Sequence, residues 1–426
     1  MAEFTAEVFQ NEFLPDGATD VHAVVAITCT GAGEAGQGTG GDAAEVIIVD
    51  TSGSMQGSKI QAAQQAAAVA IDQILDGTCF AVVAGTDGAT RAYPAPYIEA
   101  AMVRMDAQNR AQAKAAVSRL VAGGGTAMGT WLRLATRLFA GVATSGPRHA
   151  VLLTDGQNQS ETAASLSAAI TDATGAFQCD CRGVGRDWEV SELRQIGTAL
   201  LGTVEVIPGP AQMVEEFRKL IQQAMSRGVA DSQLRVWAPQ GAQVLFVKQV
   251  HPEVQDLTTR RTVVNALTGA YPTGSWSDES REYQVAVRLP ARTVGAGQLG
   301  ARLQLVVGDQ VVAQGLVKAL WTADEALTAR INPVVAHYTG QAELAQMIQE
   351  GLSAKQNGDD ATATVKLGRA VQLAEQTGNG EATTRLKKLV DVEDAGTGRV
   401  RLRGKVDKLD EMMLDTASTK TTRVHK

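Results

Sequence analysis

The sequence predicts a multidomain chain: an α/β, doubly wound (Rossmann-like) domain inserted in a β-sandwich, plus a C-terminal helical module. Three observations predict it. Between residues 43 and 228, short apolar runs alternate with amphipathic helical stretches, as in a parallel sheet covered on both faces. On either side, in 1–42 and 229–322, the apolar period is two, as in half-buried antiparallel strands. Residues 323–390 return to helical spacing. A chain of 426 residues is also too long for one ordinary core.

The elements follow in order. In "DVHAVVAIT", Val21, Ala23, Val25 and Ile27 share one face of a strand. "GAGEAGQGTGG", Gly31 to Gly41, reads as a flexible linker by composition. The strands "EVIIVD", "TCFAVVAG", "HAVLLTD", "FQCDCRGVG" and "GTVEVI" are separated by helical stretches. The first helix repeats Ile60, Ala63, Ala67, Ile71 and Ile74 at three- and four-residue steps, a single buried stripe. Beyond 229, Tyr283, Val285, Val287 and Leu289 alternate, and "ARLQLVVGDQVVAQGLVKALW" reads as a hairpin turning at Gly308-Asp309. The strands of 1–42 have no other obvious sheet to join, so they are expected to complete this later sandwich. Within 323–390, Asn357-Gly358 and Gly378-Asn379-Gly380 separate helices. Residues 391–426 lose apolar periodicity except around Leu409 to Leu414 and read as a flexible tail.

Composition narrows the function. The chain is 44% hydrophobic and 20% charged, as globular proteins are. A formal net charge of -7 argues against a nucleic-acid binder. No apolar run approaches the roughly 18 residues of a membrane span. The opening "MAEFTAEVFQNEF" has no basic region of a secretion signal, so a cytoplasmic location is expected. Four cysteines in so long a chain make no disulfide framework. Cys179 and Cys181 share a strand face, but a structural zinc needs four ligands and there is no second pair, so they read as buried or half-buried thiols.

The chemistry concentrates at "VIIVDTSGSM", residues 46–55, followed by Gly57-Ser58-Lys59. The glycines and lysine do not have the spacing of a phosphate-binding loop. The serines lack the Gly-x-Ser-x-Gly elbow and a companion base, since the histidines are scattered and only His149 lies near a strand end. A hard cation fits better. Asp50, Ser52 and Ser54 follow the carboxyl end of a predicted parallel strand, where α/β sheets bind ligands. If the turn stays extended, alternation puts all three on one side. Mg²⁺ takes about six oxygens, so other strand ends must contribute. Thr126, after Gly123 to Gly125, and Asp155, ending "HAVLLTD", are placed to do so.

At these residues the chain resembles the von Willebrand factor A (VWA) domain family. That family's metal-ion-dependent adhesion site runs Asp-x-Ser-x-Ser, then Thr, then Asp, here Asp50, Ser52, Ser54, Thr126 and Asp155. "DTSGSMxGxKI" and "GVGRDWEVSELRQIG" look like the bacterial branch. The resemblance implies Mg²⁺ (or Mn²⁺ or Ca²⁺) held by the serine and threonine hydroxyls, with the aspartates acting through water. It implies a protein partner whose acidic side chain completes the shell, and no catalysis. The context it suggests is a bacterial regulatory or assembly system; the alternative is an ATPase-adaptor or metal-insertion subunit similar to that of magnesium chelatase. Separately, Thr419, Thr421 and Thr422 are candidate phosphorylation sites on the expected tail. Thr421 with Val424 resembles a ligand of forkhead-associated phosphothreonine readers.

Overall fold

A computed structural model describes residues 2–33, 42–99 and 101–424. Of the linker expected at Gly31 to Gly41, residues 34–41 therefore lie outside the described residues. The chain forms two compact units. One consists mainly of Gly31–Ala230; the other gathers Glu3–Thr30, Asp231–Thr273 and Asp278–Lys426.

The second unit contains the first strands, β1 (Glu3–Gln10) and β2 (Asp20–Thr30), paired antiparallel.

In the first unit, β3 (Ala44–Asp50) leads through a one-turn 3₁₀ segment, Gly53–Met55, into helix α1 (Ser58–Gln73). There follow β4 (Cys79–Gly85), β5 (Ala89–Tyr93), α2 (Ala107–Val117), α3 (Met128–Ala140), β6 (Arg148–Thr154), α4 (Ala163–Ala173), β7 (Gln178–Val184), α5 (Val190–Ala199), β8 (Val204–Ile207) and α6 (Met213–Met225). The sheet order is β8-β7-β6-β3-β4-β5. Neighbours in this order are parallel except β5, which runs antiparallel at the edge; the two-residue strand Val103–Arg104 also pairs antiparallel with β4. Sequence periodicity gave no sign of β5, because "ATRAY" is half exposed and polar. From β3 the chain steps to β4 on one side and later to β6 on the other. The strand order therefore reverses beside β3, and a crevice opens between the carboxyl ends of β3 and β6.

Every residue of β3 is buried, as expected for a central strand covered on both faces. One layer of the core joins Ile47 and Val49 to the α1 stripe and to Phe217 and Ile221 of α6. Each such aliphatic side chain contributes about 1.5–3 kcal/mol by leaving water. Gly85 and Gly183 serve packing: a Cβ on either would collide with the rings of Trp131 and Trp188 respectively.

Returning to the second unit, the strands that lie wholly or mostly in it continue as β9 (Val229–Trp237), β10 (Gln243–His251), β11 (Thr268–Trp276), β12 (Glu279–Arg288), β13 (Gly297–Val307) and β14 (Gln310–Trp321). β2 pairs with β12 as well as β1, so the N-terminal strands share a sheet with strands more than 200 residues later. The β13–β14 hairpin turns at Gly308 and Asp309 and belongs to a second sheet. β14 crosses β1 so closely that a Cβ on Gly315 would stand 2.7 Å from Val8.

Helices α7 (Pro333–Gln356), α8 (Asp360–Gln376) and α9 (Gly380–Leu389) enclose Leu344, Ile348, Leu367, Val371 and Leu386. The segment expected as a flexible tail is folded, which corrects that expectation. β15 (Val390–Asp394) and β16 (Arg399–Leu402) form a hairpin. Helix α10 (Lys408–Ala417) buries Met412 and Leu414. The next residues lie along the β10 end: Val254 N–H donates to Thr419 O at 2.7 Å, and Thr421 N–H to Pro252 O at 3.0 Å. The buried Gln341 of α7 clamps Thr422, accepting its N–H at 2.9 Å and donating to its carbonyl at 2.6 Å. Arg423 pairs with buried Glu282 at 3.1 Å. Backbone pairing and burial, not apolar periodicity, hold this stretch. Thr419, Thr421 and Thr422 thus lie on a docked strand-like segment rather than on the loose end that a phosphothreonine reader would need.

Candidate metal centre

The crevice between β3 and β6 is built from three loops. Asp50 ends β3, and its successor Thr51 donates N–H and Oγ1–H to Gly85 O at 2.8 and 3.1 Å, tying the loop to the end of β4. The loop stays extended only as far as Ser52; Gly53–Met55 then turn, with Met55 buried as an anchor. So the expectation of an extended Asp50–Ser54 run is corrected, and the serines are aligned by a 3₁₀ turn instead. The Thr126 loop is stitched to this one by two backbone bonds, Gly53 N–H to Gly124 O at 2.9 Å and Gly123 N–H to Thr51 O at 2.8 Å. Gly124 has φ +78, and a Cβ there would come within 3.0 Å of Asp87, so the close approach requires glycine. The loop after β6 completes the site and caps α3: Asn158 and Glu161 accept from the N–H groups of Met128 and Gly129.

Side-chain oxygens converge inside. Ser52 Oγ and Ser54 Oγ are 2.9 Å apart, and Ser54 Oγ donates to Asp155 Oδ1 at 2.6 Å. Asp50 accepts from Ser52 N–H at 2.7 Å and from Thr154 Oγ1 at 2.6 Å. Thr126 joins them across Gly156. A Cβ built on Gly156 would stand 3.2 Å from Ser54 Oγ, 3.2 Å from Thr126 Oγ1 and 3.9 Å from Asp50 Oδ2. Ser54, Thr126 and Asp50 therefore converge on a hollow that the absence of a side chain at position 156 keeps open, and Ser52 and Asp155 join them through their contacts with Ser54. Asp50, Ser52, Thr126 and Asp155 are buried, whereas Ser54 is exposed, so the hollow opens to solvent at Ser54.

The donor set suits a hard divalent cation: neutral hydroxyls and two carboxylates, all oxygen. Burial pushes the Asp50 carboxyl up despite the hydrogen bonds from Thr154 and Ser52, and nearby Asp155 adds to the rise. A cation in the hollow would offset that cost directly.

Two contributors escaped sequence reasoning. Thr154 holds Asp50 in orientation; its only signal is its place before Asp155 in "LLTD". Lys59, in the first turn of α1, donates to Asp155 Oδ2 at 2.5 Å and lies 3.8 Å from Asp187. In sequence it had suggested phosphate.

Other features fall elsewhere. Cys179 and Cys181 are fully buried on β7, and their mutual hydrogen bond and burial push the Cys179 thiol well up. Among the described residues no cluster of three or more His, Cys, Asp or Glu side chains could hold a metal, and no helix is long and apolar enough to cross a membrane. His149 sits at the amino end of β6, in a buried ionic cluster. It contacts both Glu45 oxygens and Asp180 Oδ2 at 2.9 Å each, and Asp180 also takes Arg227 at 3.2 Å.

Comparison with known proteins agrees with this architecture. The profile of the von Willebrand factor type A domain matches residues 44–206, and that of the von Willebrand factor type A C-terminal domain matches residues 372–418. The second match covers much of the folded region that had read as tail. A solved structure, a von Willebrand factor type A protein from Catenulispora acidiphila, is 48% identical, with 99% of this chain and 97% of that one aligned and a TM-score of 0.93. The ArnB paralog VWA2 from Sulfolobus acidocaldarius shares the fold, with a TM-score of 0.58 at 15% identity over 98% of each chain. An uncharacterized protein of Synechocystis sp. is 29% identical over 220 residues, half of this chain and half of its own length. With its parallel sheet, crevice and matching full-length relative, the chain belongs to the von Willebrand factor type A family.

Proposed function

We propose that this chain is a non-enzymatic interaction protein that captures an acidic side chain of a protein partner through Mg²⁺ bound at Asp50, Ser52, Ser54, Thr126 and Asp155. Domains of this family generally mediate protein–protein interaction. The observation that carries the reading is the convergence of Ser54 Oγ, Thr126 Oγ1 and Asp50 Oδ2 on the side-chain-free face of Gly156. The three hydroxyls of Ser52, Ser54 and Thr126 would ligate the ion. The Asp50 and Asp155 oxygens already accept hydrogen bonds, so they serve chiefly to balance charge and to orient those hydroxyls. When bound, the ion supplies a positive, Lewis-acidic position for one carboxylate. Ser54 marks the side from which that carboxylate arrives. Mn²⁺ or Ca²⁺ would suit the same oxygens. The cellular setting we propose is a cytoplasmic bacterial regulatory or assembly system, with the type A domain carried between the two sequence halves of a β-sandwich.

The test is a pull-down from the source cell, with Mg²⁺ or with EDTA, using the wild type and Asp50→Ala combined with Ser52→Ala. Partners should appear only with the wild type and Mg²⁺. The same partners in every arm would refute the metal as the binding device.

A further inference from the structure

Lys59 is not among the five residues of the proposed site, yet its ammonium sits on one of them, Asp155. Nζ lies 2.5 Å from Oδ2 of Asp155, a carboxylate with no exposed side-chain surface, while the lysine side chain is 28% exposed. The position is fixed by chain geometry, because Lys59 lies in the first turn of α1, directly after the serine loop. Its other acidic neighbour, Asp187, is 3.8 Å away and 69% exposed, so solvent screens that contact.

The charge count then matters. Asp50 and Asp155 alone would neutralise a divalent ion. With Lys59 included, the loaded site carries one positive charge too many, and a single added carboxylate cancels it. We propose that Lys59 is a fixed counter-charge that weakens cation binding to the free protein and makes the cation and the partner's carboxylate bind cooperatively. In the free protein Lys59 compensates Asp155. In the loaded protein it leaves an electropositive opening beside Ser54 that favours an anionic group over a neutral one. This inference rests on the metal reading above and deepens it: the partner contributes one full negative charge, not merely an oxygen.

The test measures Mn²⁺ and Mg²⁺ binding by titration calorimetry in chloride and in acetate of equal ionic strength, corrected for acetate's own affinity for the ion. Acetate serves as the model carboxylate. Wild type should bind the ion more tightly in acetate. Lys59→Met should bind it about tenfold or more tightly than wild type in chloride, as expected for removing a unit charge a few ångströms away in a partly buried site. The acetate effect should shrink in that variant, while Lys59→Arg keeps the wild-type pattern. Equal or weaker ion affinity in a folded Lys59→Met, or an undiminished acetate effect in it, overturns the counter-charge and leaves the metal site standing. If Lys59→Met does not fold, the wild type decides: ion affinity indifferent to acetate overturns the proposal. Wild type that binds no ion, or binds no better than Asp50→Ala, overturns the metal reading and this inference with it.

Discussion

Substituting Gly156→Ala tests the hollow directly. Gly156 is not among the positive-φ glycines, so alanine is compatible with its backbone. Its N–H bond to Thr154 Oγ1, at 3.1 Å, involves no side chain and survives. The new methyl would stand 3.2 Å from both Ser54 Oγ and Thr126 Oγ1. That contact is tight enough to shift the neighbours by a few tenths of an ångström, at a cost of about 1 kcal/mol of stability. For the cation the effect is larger, because the methyl occupies the point on which the oxygens converge. Saturating wild type at 100 times its dissociation constant adds about 2.7 kcal/mol. For a domain of this size that raises the melting temperature by about 5–10 °C. Thermal melts with and without Mg²⁺ should show this rise in the wild type and almost none in Gly156→Ala, while the metal-free melts differ by only a few degrees. An alanine variant that melts with the full Mg²⁺ response would show that the ion does not sit beside Gly156.

Further outcomes follow from the same contacts. Thr154→Val removes the donor to Asp50 and should lower stability by about 1.5–3 kcal/mol in urea unfolding, with weaker Mg²⁺ binding by calorimetry. Burial alone would lower the His149 pKa, but the Glu45 charge and the hydrogen bonds to Asp180 and Glu45 raise it above its ordinary value. Its stabilising contribution is therefore complete below about pH 6.5 and is lost as pH rises through the raised native value. Denaturant unfolding from pH 6 to 9 should show this fall, and His149→Phe, which strands two buried carboxylates near Arg227, should lose about 3–5 kcal/mol at pH 6 and show a flatter profile. Gln341→Ala removes the three hydrogen bonds that clamp Thr422, so amide exchange at residues 419–424 should speed up by about tenfold or more. Exchange in the strands of the type A domain should not change.

The type A domain was legible because Val46–Val49 in β3 and Ala150–Leu153 in β6 are apolar runs closely followed by a carboxylate, and because Gly123 to Gly125 announce a loop able to approach closely. Those signals are local. The contributions of Thr154 and Lys59 are not, since each depends on which carboxylate oxygen a neighbouring strand presents. The region after Leu389 was misread for a different reason. Val390, Val392, Val400 and Leu402 do alternate about the Gly396–Gly398 turn, but charges dominate the intervening positions. Met412 and Leu414 make a helix too short to declare itself apart from the helices it packs on. The segment at 419–424 is held by main-chain bonds and by Gln341, which no periodicity reveals.

The cluster around His149 has a consequence at the opposite end of the sheet. In parallel strands that are apolar on both faces, side-chain alternation does little to specify register, and a slipped pairing would bury nearly as much surface. Glu45 pairs with His149 across β3 and β6, and His149 reaches Asp180 on β7. A slip of either strand would strand buried charges. The ionic cluster thus works as an alignment key for three strands. Because β3 runs about 16 Å from Glu45 to Asp50, that key at one end of the sheet sets which oxygens meet at the other.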